Sequence, residues 1–173
     1  MSDSLADWVK GQFTPLFQKN TESADSDVSS TLGSTFKPDA RIIYNHQSID
    51  LAKFGDDLNQ SGFAVTRTDV EWKEIFATPN ESDGSGTQAG IVAGYFVVTR
   101  SMKFRIRAAP ARTLQHCFFS AKVEEGTQTE QGPGNRLISE LFITSISKQA
   151  PIHLQGIPVS WLDRASLILP NLI

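Results

Sequence analysis

The sequence predicts an α+β domain in which N-terminal helices pack into a strongly curved antiparallel sheet, with an apolar tail at its C-terminal end. Three observations carry this prediction. Apolar residues first recur at helical spacing. Beyond residue 64 the period changes to two. The segments between the alternating runs are rich in Gly, Pro and small polar residues, as hairpin loops are.

Leu5, Trp8, Val9, Phe13, Leu16 and Phe17 place one apolar stripe on a first helix. Pro15 either kinks that helix or opens a second short turn capped by Thr14. Val28, Leu32 and Phe36, spaced by four, predict a second helix that Pro38 ends. Ala40 to Tyr44 is short and rich in Ile, hence a strand. Ser48 is the expected cap of a third helix with the stripe Leu51, Phe54 and Leu58, stopped by Gly62.

Four long strands follow, Ala64–Ala77, Ile91–Ile106, Arg112–Val123 and Arg136–Ser147, and consecutive hairpins make them an antiparallel meander. Alternation assigns a buried face: Val70, Trp72 and Phe76; then Val92, Phe96, Val98, Met102, Phe104 and Ile106; then Cys117, Phe119, Ala121 and Val123. The opposite face carries Tyr95, Val97, His116 and Phe118, a mixed set that suggests cover by a second subunit. Strands this long invite bulges, which reset such parities. The tail from 148 to 173 contains Trp161, Leu162, Ala165 and Ile168. Burying each large apolar side chain is worth ~1.5–3 kcal/mol, so the tail is expected to dock as a lid or a dimer arm.

A chain of 173 residues fits one domain, taken here as 1–173. A net charge of -3 gives no reason to expect nucleic-acid binding, which normally shows a basic patch or stripe. The cluster Arg100, Lys103, Arg105, Arg107 and Arg112 reads as an edge strand or hairpin tip. A single cysteine, Cys117, excludes an intrachain disulfide framework. No run approaches the roughly 18 apolar residues of a membrane span. With no secretory start either, these features predict an intracellular, cytoplasmic protein.

The order helix, helix, short strand, helix, then four long strands resembles the nuclear transport factor 2-like superfamily. The segment FKPDARIIYNHQSIDLAKFGDDL is the most specific part. The resemblance implies a cone-shaped α+β roll with a cavity between sheet and helices. It implies polyketide-cyclase-like relatives, with the scytalone-dehydratase-like branch nearest, on account of RIIYN and VEWKEI. In that branch the tyrosine ending the first strand, here Tyr44, holds a water. The histidines the branch needs are replaced by Val65 and Met102, which removes its acid and base. The isomerase branch needs a carboxylate where Tyr44 stands, and a tyrosine of pKa ~10 is a poor base at neutral pH.

The implied pocket is lined by Tyr44, Trp72, Phe96, Arg100, Met102, Cys117 and Phe119. Tyr44 is either a ligand-orienting hydroxyl, a weak catalytic candidate, or a core tyrosine with a backbone partner. Arg100, on the apolar parity, needs a partner: Glu74 or Glu140 in a structural ion pair, or a ligand carboxylate or phenolate. The ion pair is the favoured expectation. His116 points away from the cavity on a regular strand, and His46 sits where a turn favours it. Cys117 is expected to be a small buried hydrophobe. No metal site and no cofactor motif is expected. The functions left are an apolar-ligand-binding cavity protein, extending to a cofactor-free lyase or isomerase, or a non-catalytic dimerisation or interaction module. A homodimer through the sheet face is expected in either case.

Overall fold

A computed structural model describes residues 4–18, 28–62, 64–80, 89–106, 109–126 and 136–150. The expectations for the tail, and for Arg107, lie outside the described residues, as do those for the side chains of Phe104, Arg105 and Ile106.

Helix α1 spans Leu5–Phe17, and Ser4 Oγ caps it by accepting from Asp7 N at 3.1 Å. Its stripe is the expected one: Leu5, Val9, Phe13, Leu16 and Phe17 are all buried. Pro15 lies inside this single helix, and Thr14 does not start a new one. The Thr14 hydroxyl instead donates back to Lys10 O at 2.7 Å. Helix α2 is Val28–Thr35, and strand β1 is Phe36–Tyr44. The four-residue spacing that predicts Phe36 as helical and Pro38 as the helix's end thus runs past the true boundary. Pro38 lies within β1, where the pairing register shifts between Phe36 and Arg41. A strand tolerates a residue without an N–H at such an irregularity.

Asn45 and His46 form a two-residue turn, with φ of 47° and 66°, between β1 and the short β2, Gln47–Ile49. Positive φ at both central residues is the hairpin geometry whose twist matches its strands. Ser48 therefore belongs to β2, and Asp50 caps helix α3, Leu51–Ser61, accepting from Lys53 N at 2.6 Å.

The long strands are β3 Val65–Pro79, β4 Gly90–Ile106, β5 Ala109–Glu125 and β6 Arg136–Gln149. They form the expected antiparallel meander in a curved six-stranded sheet of order β2-β1-β6-β5-β4-β3. The β1–β6 pair is parallel, which strand alternation gave no means of foreseeing. Register shifts at Trp72/Glu74, Ser101/Arg105 and Lys122/Val123 bend the long strands.

One of these shifts corrects a sequence expectation. Lys73 bulges out of the β3–β4 register, so the parity flips after Trp72. Ile75 packs on the core, whereas Phe76, expected inside, is 65% exposed. Gly94 makes room at the same place. A Cβ there would stand 2.7 Å from Glu74 O and 2.9 Å from the Phe119 ring.

Helix α1 packs on β3 and β4, and α2 packs on α3, β1 and β6. The core between these layers holds Phe13, Phe36, Phe54, Phe96, Ile42, Ile138, Leu141 and Val98, all under 2% exposed.

At the outer edge of this core Lys122 Nζ approaches Glu124 at 2.8 Å, and Lys37 donates to the same carboxylate. Hydrogen bonds from Lys122 and then Lys37 pull the Glu124 carboxyl from the ordinary 4.5 to about 2. A carboxylate depressed in the folded state stabilises it above the unfolded pKa, and that contribution is lost as pH falls through the folded value. Glu124→Gln is therefore expected to flatten the pH dependence of stability between about pH 5 and 2. For a group this exposed the effect is ~0–1 kcal/mol, read by urea titrations across that range.

Candidate functional site

Tyr44 ends β1, just before the Asn45–His46 turn that fixes its position. Asn45 ties that turn to β6: its N–H donates to Ile143 O at 2.9 Å, and its Oδ1 accepts from Ser145 N at 2.7 Å. The Tyr44 hydroxyl lies 2.5 Å from Ser145 Oγ, and Gln115 Nε2 donates to it at 3.4 Å. Gln115 Oε1 accepts from Arg100 Nη1, and Arg100 Nη2 donates to Ser61 Oγ at 3.2 Å. A line of polar side chains, Ser61–Arg100–Gln115–Tyr44–Ser145, thus joins the end of α3 through β4 and β5 to β1 and β6.

Aromatic rings lie beside this line. Trp72 and Phe96 have centroids 4.8 Å apart, Phe17 and Phe96 5.0 Å, and Phe13 and Phe119 5.0 Å. They fill the space between α1 and the sheet. Trp72 is held by its indole N–H, which donates to Thr14 Oγ1 at 3.1 Å. The hydroxyl that bends back along α1 thereby also orients the tryptophan.

The sequence-predicted residues divide clearly. Trp72, Phe96 and Phe119 meet ring to ring. Tyr44 and Arg100 share a hydrogen-bonded line through Gln115. Cys117 is fully buried in the same core. Met102 is only half-buried, pairs with Val65 at the end of β4, and is not packed on the core cluster. The expected ion pair of Arg100 with Glu74 or Glu140 does not form; its described partners are the neutral Gln115 and Ser61. His116 lies on the outer face, where its Nδ1 is 2.6 Å from the Tyr95 hydroxyl, and His46 is an exposed turn residue.

Sequence reasoning overlooked Ser61, Thr68 and Ser145. A partial signal for the last two was present: Thr68 precedes Val70 and Trp72, and Ser145 follows Leu141 and Ile143, on the same strand parity. Ser61 carried no such mark, because it closes α3 on a polar surface.

Arg100 is 7% exposed, and burial pushes its guanidinium below the ordinary value. Burial also pushes the Cys117 thiol up to about 12, against the pull of Arg100. That thiol is protonated at neutral pH and is no nucleophile. Among the described residues no group of three or more His, Cys, Asp or Glu side chains could hold a metal ion. The polar line holds no carboxylate and no histidine. At neutral pH it offers hydrogen bonds and one fixed positive charge, and no general base. Among the described residues no helix is long and apolar enough to cross a membrane.

No protein-family model matches the sequence, and no curated protein does. Solved structures do match the fold. A chain of the Mtr2–Mex67 M domain complex of C. albicans superposes with a TM-score of 0.53 at 15% identity, over 85% of this chain and 95% of that one. IdmH, a candidate polyketide cyclase of Streptomyces antibioticus, gives 0.51 at 14% identity, over 79% of this chain and 90% of its own. AclR, a candidate hydroxylase of Streptomyces galilaeus, gives 0.51 at 14% identity, over 93% and 91%. The chain has the nuclear transport factor 2-like fold, and at these identities the likeness extends to fold alone.

Proposed function

We propose that this chain is a cofactor-free small-molecule-binding protein, whose ligand reaches the polar line by displacing rings that otherwise fill the cone. The void beside Arg100 is only about 10 Å³, and not the roomy cavity the resemblance implies. The observation that carries the reading is Arg100, a buried charge bonded among the described residues to two neutral side chains. Burying an uncompensated charge is costly, and sites that retain one commonly use it to receive an acid group. Tyr44 and Gln115 would orient the ligand oxygen, with Trp72, Phe96, Phe119 and Cys117 as the apolar wall. Met102 contributes at most to the rim. Because the line supplies donors and no base, binding or polarisation of a carbonyl fits it better than proton abstraction.

The test is calorimetric titration with benzoate and with benzyl alcohol, which share a ring and differ in charge. Benzoate is expected to bind at least about tenfold more tightly, as for one charged hydrogen bond, and Arg100→Met to remove that preference. An Arg100→Met protein that folds and binds benzoate unchanged would end the proposal.

A second reading is favoured by the outer sheet face. Phe118 is 52% exposed, Phe142 42% and Ile146 55%, and cross-strand pairing places them on one face with Tyr95, Val97 and His116. Val97 is buried there, and the exposed Phe118, Phe142 and Ile146 around it are apolar surface of the kind that marks an interaction site. Here it serves a homodimer, compatible with ligand binding inside each cone. Light scattering at micromolar concentration should report the mass of two chains, and a monomeric mass counts against it.

A further inference from the structure

The polar line ends at a void. Thr68 on β3 stands opposite Arg100 on β4, and the two are 1% and 7% exposed. With Ser61 and Gly62 at the end of α3, and Leu16 and Phe17 of α1, they line a cavity of about 10 Å³. That is room for one guest of roughly water size.

Its polar wall has a definite character. Arg100 uses two of its N–H groups, toward Gln115 and Ser61, among the described residues. A guanidinium carries five such donors and no acceptor. The Ser61 hydroxyl donates to Leu58 O at 2.7 Å, so toward Arg100 it acts as an acceptor. Thr68 Oγ1 is buried and has no hydrogen-bond partner. An unmade bond of that kind destabilises the folded state. Thr68 Oγ1 is thus a buried hydroxyl left without a partner, and the Arg100 guanidinium in the same wall has only neutral partners among the described residues. A water there would satisfy the hydroxyl and leave the charge uncompensated. A small anion would accept from both and supply the counter-charge. A proton on Thr68 Oγ1 aimed at an anion, beside a guanidinium, makes a charge-assisted pair of bonds.

We propose that the void between Thr68, Arg100 and Ser61 is a binding site for one small monovalent anion, either a free halide or the oxygen of a carboxylate. The inference goes beyond the ligand reading, because chloride reports on the void whether or not any organic molecule enters the cone.

The experiment follows the melting temperature of the full chain during titration with sodium chloride, sodium formate or sodium benzoate, at ionic strength held constant with sodium sulfate. The expected result is a saturable rise in the wild type that Arg100→Met abolishes. Thr68→Val keeps the shape and the charge but removes the donor. It should weaken the midpoint about tenfold, the worth of one hydrogen bond to a charged group, while raising the melting temperature without anion. Should Arg100→Met fail to fold, Thr68→Val alone decides. A response to chloride and formate supports a free anion. A response to benzoate alone supports a ligand carboxylate reaching in from the mouth. If no anion gives a saturable rise larger than in Thr68→Val, the void holds water and the proposal falls.

Discussion

Phe96→Ala is expected to destabilise the protein by about 3–5 kcal/mol, the usual range for emptying a buried aromatic site. Phe96 is 0% exposed and stands at the centre of the ring cluster. It touches Trp72 at 4.8 Å, Phe17 at 5.0 Å, Phe119 at 5.9 Å and Phe13 at 6.5 Å between centroids. These neighbours come from α1, β3 and β5, so no single element can collapse into the gap. The cost therefore belongs at the upper end of the range. Urea denaturation should show the midpoint fall with the slope unchanged. Phe76→Ala is the matched control. Both phenylalanines were assigned to the buried face by alternation, yet the bulge at Lys73 turns Phe76 outward. Its replacement should cost within about 0.5 kcal/mol in the monomer, as for ordinary surface sites. Equal losses from the two variants would mean that the bulge is misplaced.

The second large effect concerns the outer face. Phe118 stacks on Tyr95 at 4.4 Å with 9° between the rings, and Tyr95 stacks in turn on His116. Rings held flat in this way offer a broad rigid contact at small entropic cost, as interface aromatics do. In the proposed two-fold dimer each substitution acts twice, once from each chain. Phe118→Asp would bury two unpaired carboxylates near each other. It is expected to weaken association by at least about a hundredfold, the scale of a central hot spot. Sedimentation velocity should show a shift to single chains at micromolar concentration, with the folded far-UV spectrum retained. A variant that remains dimeric would place the interface elsewhere.

The sequence made the long strands legible to within two or three residues, because alternation extends over many turns of the pattern and each break falls in a Gly- or Pro-rich loop. The first helix was equally plain, since its stripe has no competing period. The misreadings have local physical causes. Phe36 continued the four-residue spacing of Val28 and Leu32, and nothing in that spacing tells a helix's last turn from a strand's first residue. Ser48 and Asp50 are both good caps, and only the two-residue turn at Asn45–His46 decides between them. For the candidate site, residue type and parity singled out Arg100 and the rings, and the family resemblance singled out Tyr44. They could not identify what Arg100 bonds to. Gln115 and Ser61 lie 15 and 39 positions from it in the chain. Carboxylates were the natural guess, and the strand geometry leaves them outside.

The parallel pairing of β1 with β6 has a consequence for the order in which the molecule can assemble. Strand β1 begins at Phe36, and its neighbour β6 begins at Arg136. During synthesis α2 and the β1–β2 hairpin emerge long before β6, the strand on which α2 and β1 dock. A two-stranded hairpin is marginal alone, so this N-terminal part has no stable platform until the meander is made. Strand β6 then closes the sheet by inserting between β1 and β5. Contacts so distant in sequence make folding slow, and they leave the edges of β1 and β5 unpaired until β6 is made. A nascent chain halted before residue 136 should therefore be the protease-sensitive, aggregation-prone species, and release of β6 the step that ends that exposure.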